Sequence, residues 1–155
     1  MSESLDADRL LQAVRRELPG HRGLALALAT VGSTNDEAKR LAQGGAPPLS
    51  FVVAAEQTAG RGRGGSRWHS PPGDALYLSL VLRPSWPLPQ SAAFSLAVGS
   101  VVADVVDARL APGRARVKWP NDILVDGRKL AGVLLEAQIR DARAESLIVG
   151  IGLNV

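Results

Sequence analysis

Apolar positions lay out most of the chain's elements. Leu5, Leu10, Leu11, Val14 and Leu18 recur at helical spacing with charges between them, and Pro19-Gly20 ends the run, which predicts one amphipathic helix. Leu24 to Val31 predicts a strand diluted by alanines. Gly32-Ser33-Thr34-Asn35 turns it into a helix covering roughly Asp36 to Gln43, with Ser33 or Thr34 as its cap. Phe51 to Glu56 is a short, nearly continuous apolar strand. It feeds a loop rich in arginine and glycine that Pro71-Pro72-Gly73 closes. Ala75 to Leu82 alternates as a strand does, and Ser85 to Pro89 is a loop. Gln90 to Leu110 is then the longest helix, apolar enough through Phe94, Leu96, Val98, Val101, Val102, Val105 and Val106 to be largely buried. Arg116 to Trp119 reads as a strand end. Ile123 to Val125, Asp126-Gly127 and Lys129 to Ala137 read as a hairpin, and Leu147 to Val155 as a last strand. The consistent architecture is α+β: a mixed or antiparallel sheet of about six strands with helices packed on one face.

Length changes this picture little, since 155 residues with 46% hydrophobic content suit one compact domain over residues 1–155. A net charge of +3 and an isoelectric point near 9.9 favour anionic ligands without requiring nucleic acid. With no cysteine there is no thiol nucleophile, disulfide framework or cysteine zinc site, and a cytoplasmic location is the default. The acidic N-terminal stretch lacks a signal pattern, and no apolar run approaches the roughly 20 residues that span a bilayer, so no membrane association is expected. One helix before the first strand is too little for a winged-helix domain, which predicts no DNA binding.

The segment Gly60-Arg61-Gly62-Arg63-Gly64-Gly65-Ser66-Arg67-Trp68 cannot pack a core and costs much entropy to order. Ordering it around an anion repays that cost, because guanidiniums bind phosphate bidentately and glycines expose backbone N–H groups; the bland alternative is a solvated basic hairpin tip. The formal G-x-G-x-x-G match lacks a following helix and an acidic residue about 20 positions on, so a dinucleotide fingerprint is excluded. Lys118-Trp119-Pro120-Asn121-Asp122 is either a polar turn or a site in which Lys118 meets a carboxylate or phosphate and Asn121 or Asp122 holds Mg²⁺ or a triphosphate. Ser33, Thr34, Asn35 and Gln57 suit a neutral polar ligand such as a ureido ring. His21 and His69 are isolated and read as non-metal.

Gly32-Ser33-Thr34-Asn35, Glu56 to Arg63, Lys118 to Asp122, Lys129 to Glu136 and Gly150 to Val155 together, and in this order, resemble biotin–protein ligase. The resemblance implies the fold shared with class II aminoacyl-tRNA synthetases. It also implies activation of biotin with MgATP to biotinyl-5′-AMP and transfer of biotin to a lysine of a biotin carboxyl carrier protein. On it, Ser33, Thr34, Asn35 and Gln57 form the biotin-head site, and Arg61, Gly62 and Arg63 the biotin and adenylate loop. Lys118 meets the biotin carboxylate and the α-phosphate, Gly132 lets backbone approach the ligand, and Trp68 covers the adenine. Lys118→Ala is then expected to abolish adenylate formation and Arg63→Gly to loosen adenylate retention. Ser66 stands where the family usually has arginine. The family continues beyond Val155, so a fragment is expected, with an exposed edge at the last strand inviting dimerisation. A lipoyl or octanoyl transferase of the same fold and a non-enzymatic RNA-binding module are the alternatives.

Overall fold

The computed structural model describes residues 6–69, 75–84, 91–140 and 143–154. Leu5, Pro71-Pro72-Gly73, the loop Ser85 to Pro89, Gln90 and Val155 lie outside them.

Among the described residues three α-helices and seven strands form: α1 (Ala7–Glu17), β1 (Ala25–Val31), α2 (Thr34–Gln43), β2 (Phe51–Gln57), β3 (Ala75–Leu82), α3 (Ser91–Arg109), β4 (Ala115–Lys118), β5 (Asp122–Val125), β6 (Arg128–Arg140) and β7 (Arg143–Asn154). The strands make one mixed sheet in the order β1-β2-β3-β7-β6-β5-β4. Only β1 and β2 run parallel, and α2 supplies the crossover that a parallel pair requires. The β5–β6 connection is the tight turn expected, with positive φ at both Asp126 (50°) and Gly127 (77°), the signature of a primed hairpin turn.

Two expectations are corrected. β7 is not an edge: it pairs with β3 on one side and β6 on the other, so β1 and β4 are the edges. The helices also divide between the faces instead of sharing one. Strand alternation sends Val133, Val149 and Ile123 toward α3, where Phe94, Val98, Val102 and Val106 cover them. Val52, Val81 and Ile148 point the other way, toward Ala38 and Ala42 of α2, whose small side chains let the helix lie close.

Because α3 covers its face as a single layer, only one stripe of it is buried. Val101 and Val105 are 63% and 58% exposed, against the fuller burial that its composition suggested.

The far end of α2 is closed by a long-range partner. Arg83 donates from Nη2 to Ala42 O (2.6 Å), from Nε to Ala46 O (3.1 Å) and from Nη1 to Glu145 O (3.3 Å). A cation here adds a charged donor to the Ala42 carbonyl in the last turn of the helix, which also accepts from Gly45 N–H (3.1 Å), and opposes the negative end of the dipole. Arg83→Ala is expected to cost about 1–3 kcal/mol, read as a melting temperature several degrees lower with the fold retained.

Candidate functional site

Beyond the N-terminus of α2 lies a cavity of about 270 Å³, just below the ~300–1,000 Å³ usual for small-molecule sites. The turn that ends β1 places Ser33, Thr34 and Asn35 in the cavity wall, all three buried. Ser33 occupies the N-cap position but its side chain makes no capping bond. The cap comes instead from β2: Gln57 Oε1 accepts from Thr34 N (2.8 Å) and Thr34 Oγ1 (3.0 Å). Beneath them Ser79 Oγ lies 2.6 Å from Asn35 Oδ1 and 2.8 Å from Thr34 Oγ1. Asn35 Nδ2 donates to Glu136 Oε2 at 2.5 Å, so both ends of that amide are fixed.

The arginine loop folds over this wall as a small hairpin. Arg61 and Arg67 form an isolated bridge, Gly62 N–H donates to Ser66 O (2.7 Å) and Trp68 N–H to Gly60 O (3.0 Å). Ser66 closes the tip by donating to Arg63 O (2.9 Å). Arg61, Gly62, Arg63, Ser66, Arg67 and Trp68 all line the cavity. Arg63 and Arg67 present exposed guanidiniums, whereas Arg61 is already engaged. Its two terminal nitrogens grip the Asp36 carboxylate at 2.8 and 2.7 Å, and Nη2 lies 3.3 Å from Glu136 Oε2. Lys39 Nζ completes the cluster, 2.8 Å from Glu136 Oε1 and 3.6 Å from Asp36 Oδ1.

These contacts set the protonation states. The hydrogen bond from Arg61 holds Asp36 below the usual carboxylate range against some desolvation. Burial pushes Glu136 up, but hydrogen bonds from Lys39 and Asn35 and the charges of Lys39 and Arg61 outweigh it, and the net shift is downward. Carboxylates depressed in the fold stabilise it above their unfolded values, about 4, and that contribution disappears as pH falls through the folded values. Thermal melts should therefore be insensitive to these two groups at neutral pH and fall steeply in acid. Asp36→Asn is expected to flatten the acid limb of a melting-temperature profile against pH.

The floor is three glycines. Gly132 and Gly152 are partners across β6 and β7, and Gly150 lies two residues back on the same face. A Cβ at Gly132 or Gly152 would meet the Trp68 ring at 2.7 Å, so the indole rests directly on the backbone. What Gly132 lets close here is Trp68.

Lys118 and Lys129 are placed differently with respect to the cavity. Lys118 ends the edge strand β4, exposed, opposite Asp122 and outside the cavity lining. It precedes a cis Trp119-Pro120 bond, and Trp119 is 67% exposed with the Arg63 guanidinium 6.0 Å from its ring. Lys129, at the start of β6, lines the cavity instead. Its Nζ lies 4.7 Å from the centre of the Trp68 ring and 2.8 Å from Asp122 Oδ1. Asn121 lines the cavity too but is tied into the sheet, exchanging bonds with Val133 at 2.9 and 2.8 Å. Asp122 is engaged by Lys129, and among the described residues no group of three or more His, Cys, Asp or Glu is placed to hold a metal. His21 is buried with Nε2 3.0 Å from Leu49 O, and no helix among these residues is long and apolar enough to cross a membrane.

Sequence reasoning did not single out Lys129, Gly150 and Gly152, which line the cavity, or Asp36, Ser79 and Glu136, which hold its wall and loop from behind. The available signal was strand alternation: Gly132, Leu134 and Glu136 share a face, as do Gly150 and Gly152.

Residues 28–154 match the model of the biotin/lipoate A/B protein ligase family. The bifunctional ligase/repressor BirA of Bacillus subtilis is 44% identical over 126 residues, 81% of this chain and 38% of that protein. The biotin–[acetyl-CoA-carboxylase] ligase of Paracoccus denitrificans is 40% identical over 129 residues, covering 83% and 53%. Among solved structures, the Aquifex aeolicus biotin protein ligase in complex with biotin and ATP superposes with a TM-score of 0.70 at 32% identity, covering 87% of this chain and 53% of that one. The Leishmania major enzyme with biotinyl-5-AMP gives 0.68 at 34%, covering 84% and 57%. The chain therefore spans about half or less of the length of these relatives.

Proposed function

The chain belongs to the biotin/lipoate A/B protein ligase family, and from that premise we propose that it activates biotin with ATP and passes it to a lysine of a carboxyl carrier domain. The observation that carries the reading is one cavity joining a buried polar wall (Ser33, Thr34, Asn35) to cations (Arg63, Arg67, Lys129) under an aromatic cover. A ureido ring has donors and an acceptor for that wall. A dithiolane or alkyl chain has none, and would cover the Ser33 hydroxyl, which makes no capping bond, without offering it a partner, which favours biotin over lipoate or octanoate.

Chemically, the biotin carboxylate attacks the α-phosphorus of ATP, pyrophosphate leaves, and a mixed anhydride forms. The acceptor amine then attacks the anhydride carbonyl, AMP leaves, and an amide results. No protein nucleophile is required. The obstacle is repulsion between two anions, and cations placed beforehand lower it. Lys129 takes that role in place of Lys118, with Arg63 and Arg67 on the phosphates. Trp68 shields the anhydride from water. Mg²⁺ enters as the counter-ion of ATP, with Asp122 or Asn121 as the protein's contribution; a lone carboxylate suits a phosphate-borne ion better than an all-protein cage. The cytoplasm supplies ATP and acceptor. A homodimer through a sheet edge belongs to the same reading.

Biotin-dependent exchange of pyrophosphate into ATP tests it, with lipoate and octanoate as controls. Exchange with biotin alone is the expected result. Exchange with lipoate or octanoate and none with biotin would overturn the assignment.

A further inference from the structure

We infer that Glu136 is a positioning residue that couples the polar wall of the site to the arginine loop, so that a ligand held by the wall also holds the loop shut. The inference rests on the biotin reading above. One carboxylate oxygen, Oε2, accepts from Asn35 Nδ2 at 2.5 Å and from Arg61 Nη2 at 3.3 Å, while Oε1 accepts from Lys39 at 2.8 Å. Asn35 lines the cavity and Arg61 is the root of the loop, so the same oxygen touches both. Glu136 itself is not among the cavity's lining residues and meets no ligand. Its effect passes through its neighbours.

Two features make the junction more than a surface ion pair. Glu136 keeps Asn35 in one orientation: rotating that amide by half a turn would set Oδ1 against the carboxylate, two acceptors with no proton between them, while Ser79 could accept from Nδ2 as readily as it now donates. It also balances charge, since Asp36 and Glu136 face Arg61 and Lys39 in one cluster and the Glu136 side chain is only 25% exposed. Loss of its charge leaves Arg61 held by Asp36 alone, on the more exposed side. A ligand that immobilises Asn35 thereby fixes the carboxylate, and the carboxylate fixes Arg61. Two sites that share such an element are coupled reciprocally.

The test uses trypsin cleavage after Arg63 and Arg67 as the readout of loop closure, with and without biotin, alongside calorimetry of biotin binding. In the parent chain biotin is expected to slow cleavage. With biotin saturating, the protection in Glu136→Gln is expected to fall by about fivefold or more, and biotin affinity to fall by about the same factor, as reciprocity requires. Full protection at saturating biotin in Glu136→Gln overturns the inference whether or not affinity falls, because a simple pocket residue weakens binding without changing what bound biotin does to the loop. If Glu136→Gln does not fold, Asp36→Asn carries the test. Arg61 then depends on Glu136 alone, and the ratio of cleavage rates without and with biotin should rise; an unchanged ratio overturns the coupling. A parent chain that binds no biotin defeats the functional reading itself, an outcome distinct from binding without coupling.

Discussion

Replacing Lys129 by alanine is expected to lower biotin-dependent pyrophosphate exchange by about 10²–10³-fold, the usual loss when one preorganised charge is removed from an acyl or phosphoryl transfer site. Lys118→Ala should change it far less. The reason is placement: Lys129 lines the cavity beside Trp68 and Asp122, whereas Lys118 lies outside it at the end of an edge strand. Truncation also strands Asp122, whose side chain is 23% exposed, so part of the loss will appear as lower stability. Lys129→Arg separates the two effects, because it keeps the pair with Asp122 while changing the geometry offered to the reacting oxygens. Exchange rates and melting temperatures of the three variants give the answer. A parent-like rate in Lys129→Ala with loss in Lys118→Ala would return the catalytic role to Lys118.

Gly150→Ala is expected to lower biotin affinity at least about tenfold and to destabilise the fold by about 1–3 kcal/mol, the range for overpacking a filled interior. A Cβ there would lie 3.0 Å from both Cγ and Nδ2 of Asn35 and closer still to Oδ1. Asn35 cannot move aside, because Ser79 and Glu136 hold the two ends of its amide. Gly152→Ala meets the Trp68 ring instead, at 2.7–3.0 Å, and a side chain on a loop can swing away. The contrast is the test: Gly150→Ala should lose biotin binding by calorimetry together with melting temperature. Gly152→Ala should keep most of its stability and lose the cover over the ligand. Equal behaviour of the two would mean that Asn35 yields as readily as the indole.

Local signals carried much of the fold. The Asp126-Gly127 turn, the helices around Leu10 and Val98, and the strands ending in Gln57 and Leu82 were legible because their causes lie within a few neighbouring residues. The sheet order was not. Pairing of β7 with β6 is local, but its pairing with β3 joins residues far apart in the chain and leaves no periodic trace in either strand. The same limit governed the site. Ser33, Thr34, Asn35, Gln57 and the arginine loop are contiguous polar clusters at strand ends, and the cavity gathers them. Choosing between Lys118 and Lys129 depended on which way each side chain faces across β4, β5 and β6, a ladder with an irregularity between Ile123 and Leu124. Glu136 entered the sequence reading only as part of the Lys129 to Glu136 stretch, because its partners, Asn35 and Arg61, are 101 and 75 residues away.

The position of β7 has a consequence for how the molecule yields. Strands β1 to β3 and β4 to β6 form two leaves that are joined within the sheet only through it, with Asn35, Lys39 and Arg61 reaching across to Glu136. Ser33, Thr34 and Gln57 belong to one leaf, and Lys129 and Gly132 to the other. A molecule seated in the cavity therefore straddles a seam, and its binding energy opposes separation of the leaves as well as loss of individual contacts. Occupancy should be written most strongly in the amide hydrogen exchange of Leu147 to Leu153, residues whose backbone forms the hinge of that book.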